Sequence, residues 1–326
     1  MTEIALVEAV NLALARAMKD DETVLVFGED VAVNGGVFRA TDGLQKTFGD
    51  ERVFDTPLAE AVIAGLAVGL AAQGFKPIPE IQFMGFIYSA MDQMVNHASR
   101  LRNRTRGRLT CPMVLRAPFG GGIHGPEHHS ESTEAMFAHV PGLRVVIPSS
   151  PYQAYGLLLA AIRDPDPVVF LEPKRIYRAF KQEVEDNGEA LPLDKCFVMR
   201  DGSDITLVSW GAMMRETLEA AEKMAEQGID AEVIDVATLK PFDFKTIAES
   251  VEKTGRCVIV HEAAQTAGFG AEIAARLADE GLMSLQAPVA RVTGPDTIMP
   301  LPKLEHLYMP NTNHVLAAVN RVMEFA

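Results

Sequence analysis

The stretch DTPLAEAVIAGLAVGLAAQGFKPIPEIQ, residues 55–82, places a helix directly before a strand. Thr56 is a good helix-capping residue and Pro57 suits the first helical position, so the pattern predicts a helix over Leu58–Gln73. The apolar run Lys76–Gln82 follows and predicts a strand. A helix that leads directly into a strand is typical of parallel sheets with crossover helices.

The same alternation continues along the chain and predicts the α/β class, with doubly wound domains. Further strands are expected at Thr23–Phe27, Met113–Ala117, Leu143–Pro148, Pro167–Leu171, Asp204–Ser209, Asp230–Val236, Arg256–Val260 and Val289–Val292. Further helices are expected at Ile4–Met18, Gly85–Arg102, Pro151–Arg163, Met213–Gln227, Phe244–Lys253, Phe269–Glu280 and Asn313–Glu324.

The length of 326 residues suggests two domains, and one segment is a good candidate for the boundary between them. The sequence QEVEDNGEALPLD, residues 182–194, is acidic, contains Asn-Gly and Pro, and has no clear periodicity. We therefore predict a first domain over residues 1–181, a linker over 182–199 and a second domain over 200–326.

Charge and cysteine content exclude several classes of protein. The formal net charge of −14 argues against binding to nucleic acid or to an anionic membrane surface, and it would suit a basic protein partner. The three cysteines are far apart and odd in number, which is a poor disulfide framework. The beginning of the chain also lacks the basic and apolar pattern of a signal peptide. We therefore expect a cytoplasmic protein.

The helix over Leu58–Gln73 carries one carboxyl group in an apolar setting. Glu60 lies in the first turn, where it could complement the positive helix end or, if desolvated, exchange a proton near neutral pH. Gly65 and Gly69 make one face smooth. The helix is therefore either an ordinary core helix or one that packs closely against a second subunit.

The densest polar cluster is GGGIHGPEHHSES, residues 120–132, which follows a predicted strand. Its glycines would allow close approach to a ligand, and its histidines supply acid–base groups. A solvated loop, a zinc site of His124, Glu127 and His128, and a nucleophile at Ser130 are the alternatives. The GxG at residues 268–270 is too incomplete a motif to predict nicotinamide binding.

Several short motifs occur together in a fixed order along the chain. They are Gly28-Glu29-Asp30, Gly35-Gly36-Val37-Phe38, Asp55-Thr56-Pro57-Leu58-Ala59-Glu60, Glu80-Ile81-Gln82-Phe83, His129-Ser130-Glu131-Ser132, Pro141-Gly142-Leu143, Ala161-Ile162-Arg163-Asp164, Lys240-Pro241-Phe242 and Gly268-Phe269-Gly270-Ala271-Glu272. In this combination, over essentially the whole chain, the sequence resembles the beta subunit of the thiamin-diphosphate-dependent 2-oxo acid dehydrogenase component.

This resemblance implies an N-terminal pyrimidine-binding domain and a C-terminal transketolase-like domain. It also implies an α2β2 heterotetramer that binds thiamin diphosphate between an alpha and a beta subunit. In the family a GDG motif of the alpha subunit holds Mg²⁺ and the diphosphate, and this chain contains no GDG. The chain should therefore be inactive alone.

The resemblance also assigns site residues by motif. Glu60 matches the carboxyl that bonds the aminopyrimidine ring, and Phe86 matches the aromatic side chain that packs on that ring. His129 matches the histidine that assists acyl transfer to the lipoyl group, whereas His128 has no firm role and His124 could line the substrate channel. The remaining matches to the cofactor pocket are Glu29, Leu58 and Gln82.

The family binds a structural monovalent cation, usually potassium, largely through backbone carbonyls. The matching positions are Met113, Ala161, Asp164 and Asp166, and Asp166 stands where family members often have Asn. The resemblance further implies docking to the lipoyl acyltransferase core, through its subunit-binding and lipoyl domains. The subunit-binding domain is often basic, which would suit the net charge of −14.

Three functions remain to be distinguished. The first is decarboxylation of pyruvate or a branched-chain 2-oxo acid. The second is half of a split transketolase or sugar-phosphate synthase, and the third is a non-catalytic scaffolding subunit. A substrate methylene in an apolar pocket changes binding by only about 1–3 kcal/mol, so the two kinds of 2-oxo acid stay open.

Overall fold

The computed structural model describes residues 2–325, which form two compact units. The first unit runs to Phe119 and resumes over Met136–Leu193, whereas the second comprises Gly120–Ala135 and the chain from Asp194 onwards. The sequence placed Gly120–Ala135 inside the first domain. It groups with the second unit because its backbone and side chains bond to residues such as Glu262 and Glu305. The domain boundaries stay a prediction.

The first unit contains a parallel sheet and a separate antiparallel pair of strands. Its strands are β1 (Thr2–Ala5), β2 (Val24–Gly28), β3 (Val53–Asp55), β4 (Lys76–Glu80), β5 (Val114–Phe119), β6 (Arg144–Val146), β7 (Val168–Pro173) and β8 (Lys181–Val184). The main sheet has the order β6-β7-β5-β4-β2-β3, and all its pairs within the unit are parallel. Strands β2, β5 and β7 are buried along their whole length, as expected when helices cover both faces.

The longer helices of this unit lie where the sequence predicted them, but the helix after β3 begins at Glu60 with Ala59 as its N-cap, so the predicted start at Thr56 and Pro57 is wrong. The helices are α1 (Leu6–Asp20), α2 (Leu44–Phe48), α3 (Glu60–Ala72), α4 (Leu101–Arg104), α5 (Glu134–Ala138) and α6 (Pro151–Arg163). The first two residues of α5 belong to the second unit. Helix α6 begins as expected, because Ser150 accepts a hydrogen bond from the amide of Gln153 and Pro151 takes the first helical position. Helix α1 packs against α6.

The helix predicted over Gly85–Arg102 lies in a continuous helical stretch, but its turns are of mixed type and not a regular α-helix. The chain forms a 3₁₀ helix over Met84–Ala90, a π turn over Gln93–His97 and a further 3₁₀ turn before α4. Within this stretch the Ser99 hydroxyl donates to the Val95 carbonyl at 2.7 Å, a local bond of the kind that bends helices.

The second unit is built around its own five-stranded sheet. The strands of this sheet are β9 (Phe197–Arg200), β10 (Ile205–Ser209), β11 (Ala231–Asp235), β13 (Cys257–Ala264) and β14 (Ala290–Gly294), and the short strand β12 (Thr238–Lys240) lies outside it. Its helices are α7 (Met214–Ala225), α8 (Phe244–Thr254), α9 (Phe269–Glu280), α10 (Glu305–Tyr308) and α11 (Thr312–Met323). The sheet order is β14-β13-β10-β11-β9, parallel except for β9.

The stretch predicted as a linker is more ordered than its composition suggested. Strand β8 lies at its start, where it pairs antiparallel with β1, and β9 lies at its end. Neither strand was predicted from the sequence, because β8 is largely exposed and both strands are only four residues long. Along the described chain, we find no helix of the length and apolar character that crossing a membrane requires.

A buried ionic network lies in the middle of the first sheet. The register places Glu80 of β4 opposite Arg116 of β5, and the two side chains bond at 2.9 Å. Glu172 of β7 takes two further bonds from Arg116, at 2.6 and 3.0 Å, and one from the Tyr177 hydroxyl at 2.6 Å. Burial raises the pKa of Glu80, although Arg116 opposes the shift.

Candidate active site

Three neighbouring strands of the first sheet end at residues that the sequence singled out. Strands β3, β2 and β4 lie side by side, and their carboxyl ends lead to Glu60, Glu29 and Gln82 respectively. The carboxyl ends of parallel strands are where α/β proteins bind ligands. The topology thus brings these candidates to one edge of one sheet.

Glu29 is a buried carboxyl at this edge, with 7% of its surface exposed. Burial raises its pKa, and the neighbouring charges of Glu60 and Asp30 raise it further. Gly28, just before Glu29, lies close to the end of β4, since a Cβ there would lie 2.5 Å from the Glu80 carbonyl oxygen. The φ of Gly28 is also 155°, a value that side-chain-bearing residues rarely adopt.

Glu60 is the first residue of α3 and is half-buried. The sequence left open whether this carboxyl is desolvated, and in the structure Glu29 is more buried than Glu60. The reason is that α3 buries only one side, on which Ile63, Ala64 and Ala67 lie. The electrostatic interaction between Glu29 and Glu60 shows that the two carboxyls are close enough to influence each other.

Polar residues of the loop after β2 extend this group. Gln82 donates to the carboxylate of Asp30 at 3.3 Å, and Asn34 donates to the same carboxylate at 3.0 Å. Asp30 has a left-handed backbone with φ 57°, and its carbonyl accepts from the Gly36 amide at 2.7 Å. The loop is therefore held by its own bonds, which gives the Gln82 side chain a defined partner.

Phe86 is supported by a series of aromatic contacts. Its ring lies edge-on to Phe83, with centroids 5.9 Å apart, and Phe83 lies edge-on to Phe38 at 5.5 Å. Phe38 in turn contacts Tyr177, whose hydroxyl belongs to the buried ionic network. These contacts fix the plane of Phe86, which stays partly exposed.

The outer side of α3 is apolar and exposed. Leu58, just before the helix, is 78% exposed, and Val62 and Leu66 are exposed one and two turns later. A Cβ built on Gly69 would have no neighbour within 4 Å. Contiguous exposed apolar side chains mark binding surfaces. This helix is therefore better interpreted as one that packs against a second subunit than as an ordinary core helix.

The residues matched to a cation site are already engaged in contacts. The carboxylates of Asp164 and Asp166 pair with Arg144 and Arg102, each at 2.9 Å. The carbonyl of Met113 accepts from the Val168 amide at 2.9 Å. A carbonyl has two lone pairs, so those of Met113 and Ala161 could still bind a cation, whereas the two carboxylates already have partners.

In the second unit, the histidine segment is defined as residues 120–132. Its glycines were predicted to allow close approach to a ligand, and two of them closely approach side chains of the second unit. A Cβ at Gly120 would overlap the Glu262 carboxylate, and a Cβ at Gly121 would lie 2.5 Å from Met299 and 3.0 Å from Met309. These glycines therefore make room for side chains of the unit itself.

The histidines of this segment have different environments. His124 and His128 are exposed, whereas His129 is half-buried on a short 3₁₀ turn. Among the residues that the structure describes, no group of three or more His, Cys, Asp and Glu side chains could hold a metal ion. The structure therefore does not support a zinc site of His124, Glu127 and His128. Ser130 is buried after the same turn.

Buried titratable groups that the sequence did not single out lie beside the segment. Glu134 accepts from the Trp210 indole at 3.3 Å, and burial together with the charge of Glu262 raises its pKa to about 8. His261 stacks on Trp210, and burial lowers its pKa to about 4. A Cβ on Gly270 would lie 2.8 Å from the His261 ring, so this glycine of the GxG makes room for that ring. The sequence offers one signal for Glu134, which is a single carboxyl group at the start of a short apolar helical stretch.

The raised pKa of Glu134 predicts a specific pH dependence of stability. The folded chain keeps this proton up to about pH 8, whereas the unfolded chain releases it above its ordinary value of 4.5. Stability is therefore lost as the pH rises through this window, by roughly 4 kcal/mol for a group so deeply buried. We expect Glu134→Gln to remove this loss, so that its thermal midpoint gains on the wild type between pH 5 and 8.

The measurement is a series of thermal unfolding curves from pH 5 to 8. Glu226→Gln, at an exposed position after α7, is the matched control and should follow the wild type at every pH. A constant difference between Glu134→Gln and the wild type over the whole range would contradict the prediction.

Comparison with known proteins now defines the class. The model of the transketolase pyrimidine-binding domain matches residues 2–179, and that of the transketolase C-terminal domain matches residues 194–315. A split-gene transketolase, described as an inactive beta4 tetramer, superposes with a TM-score of 0.82 over 99% of both chains, at 25% identity. The chain thus has the two-domain transketolase architecture.

Sequence relatives narrow the class to a family. The pyruvate dehydrogenase E1 component subunit beta of Bacillus subtilis is 51% identical over 325 residues, which cover 100% of both chains. The subunits of the same name from Staphylococcus epidermidis and Staphylococcus aureus are 50% and 47% identical with the same coverage. The chain belongs to the family of pyruvate dehydrogenase E1 beta subunits, whose pyrimidine-binding domain implies thiamin diphosphate as the cofactor.

Proposed function

We propose that this chain is the beta subunit of a cytoplasmic α2β2 2-oxo acid dehydrogenase that decarboxylates pyruvate and passes the acyl group to a lipoyl domain. The observation that carries the proposal is the pair of carboxyls, Glu60 and buried Glu29, at one sheet edge of a chain with full-length similarity to this family.

The residues at this edge fit an aminopyrimidine. Glu60 would bond the ring nitrogen and hold or release a proton there, while Glu29 stands close enough to influence that proton. Phe86, with its plane fixed by Phe83, would pack on the ring, and Leu58 and Gln82 would complete the pocket. Bound thiamin diphosphate would supply the electron sink that stabilises the negative charge left by decarboxylation.

The second half of the site would come from an alpha subunit. The chain contains no GDG motif, so we propose that Mg²⁺ and the diphosphate are held mainly by that subunit. The exposed apolar side of α3, with Leu58, Val62 and Leu66, supports assembly. The chain alone should therefore be inactive.

His129 would act in the second half-reaction, as a proton donor during acyl transfer to the lipoyl dithiolane. A half-buried imidazole is suited to this role because histidine is a common general acid in enzymes. We further propose docking to the acyltransferase core, for which the net charge of −14 suits a basic subunit-binding domain. A structural potassium ion would use mainly the carbonyls of Met113 and Ala161.

The proposal is tested by co-expressing the chain with its alpha subunit and measuring kcat/KM for three substrates. We expect turnover of pyruvate to exceed that of 2-oxoisovalerate by roughly 10-fold or more, the discrimination that a pocket can obtain from substrate size. A preference for 2-oxoisovalerate would assign the branched-chain reaction instead. Turnover of a ketose phosphate without any 2-oxo acid would support the split transketolase, the alternative that the structural neighbour favours.

A further inference from the structure

A buried carboxylate binds the backbone of the histidine segment. Glu305, the first residue of α10, is only 2% exposed. One of its oxygens accepts from the amide of Gly122 at 2.7 Å, and the other accepts from the amide of His124 at 2.9 Å. Hydrogen bonds to a carboxylate are shorter and stronger than those between neutral groups. Glu305 therefore holds the backbone of the segment at Gly122 and at His124, two positions later.

The residue held in this way has an unusual conformation. His124 has φ 58°, a left-handed value that few non-glycine residues adopt. Its side chain remains 75% exposed, with Nδ1 3.7 Å from the Glu305 carboxylate. The backbone of His124 is therefore fixed while its ring faces solvent.

The segment that Glu305 holds continues to His129, whose amide donates to the Pro126 carbonyl at 2.9 Å. The Gly120 amide donates to the Glu131 carbonyl at 2.9 Å, which closes the segment on itself. A Cβ on Gly125 would lie only 3.1 Å from the Cβ of His129, so the two residues are in close contact. A displacement of residues 122–125 would consequently displace His129.

We infer that Glu305 is a positioning residue for acyl transfer: its carboxylate fixes Gly122 and His124, and through them the place of His129. Glu305 acts through these amides and has no contact with the reacting groups in this assignment. The inference rests on the proposed function, because that proposal assigns acyl transfer to His129.

The test uses the reconstituted assembly with the variants Glu305→Ala and Glu305→Gln. Alanine removes both acceptors, whereas glutamine keeps one oxygen and turns an NH₂ group toward the other amide. Glu252→Gln, at an exposed position of α8, is the matched control. Hydrogen exchange is measured on peptides that contain the amides of residues 122 and 124, together with lipoyl-domain acylation and decarboxylation with an artificial electron acceptor.

We expect exchange at these amides to quicken at least about tenfold in Glu305→Ala, the ratio that one lost hydrogen bond produces, and less in Glu305→Gln. The kcat of lipoyl acylation should fall in the same order and by more than decarboxylation does. Unchanged exchange in Glu305→Ala would overturn the inference. Faster exchange with equal losses of both activities, or with no loss of either, would overturn it as well.

The exchange measurement does not depend on the proposed function. If the wild-type assembly turned over no 2-oxo acid, the proposed function would fail and the link to acyl transfer with it. The exchange result would still decide whether Glu305 holds the histidine segment.

Discussion

Replacing Glu60 by Gln in the reconstituted assembly is expected to lower decarboxylation by about 10²- to 10⁴-fold, the usual contribution of a positioned acid–base group. The amide has nearly the shape of the carboxyl group but cannot exchange a proton with the cofactor ring. Since Glu60 is half-buried at the start of α3, the substitution removes no buried ion pair that the fold needs. Assembly should therefore be retained.

The measurement is the rate of decarboxylation with an artificial electron acceptor, alongside the mass of the assembly. Glu51→Gln is the matched control, because Glu51 is exposed in the turn before β3. Unchanged decarboxylation in Glu60→Gln would reject the proton-exchange role. Loss of assembly in Glu60→Gln but not in Glu51→Gln would instead give Glu60 a structural role.

Replacing His129 by Ala is expected to lower acylation of the lipoyl domain by a similar factor, about 10²- to 10⁴-fold, and decarboxylation by much less. The reason is that the imidazole would donate a proton only when the dithiolane opens. Because the artificial acceptor bypasses that step, the two assays separate the two half-reactions.

His314→Ala is the control for this experiment, since His314 is exposed near the start of α11 and should leave both assays unchanged. Equal losses of the two activities in His129→Ala would contradict a separate role in acyl transfer. They would place His129 in a step that both assays share.

Much of the fold could be predicted because its signals are local. Ser150-Pro151 and the apolar periodicity after it define helix α6, and the structure has the predicted bounds Pro151–Arg163. The strands of the two sheets follow from apolar runs such as Val168–Pro173. Short or exposed strands such as β8 were missed, because pairing with β1, far away in sequence, is what makes that segment a strand.

The candidate site was predictable to the extent that motifs carry it. Glu29, Glu60 and Gln82 follow three strands that the tertiary structure places side by side. The network of Arg116, Glu80 and Glu172, by contrast, has no sequence motif, since its members come from three different strands.

The sequence by itself determined the class of fold, the family resemblance and the residues offered for chemistry, because caps, periodicity and motifs are properties of neighbouring residues. Only the tertiary structure decided that Glu29 rather than Glu60 is the buried carboxyl, and that Gly120 and Gly121 make room for side chains of the unit itself. It also brought Glu305 to amides more than 180 positions earlier in the chain. Burial and long-range hydrogen bonds depend on residues that only folding brings together.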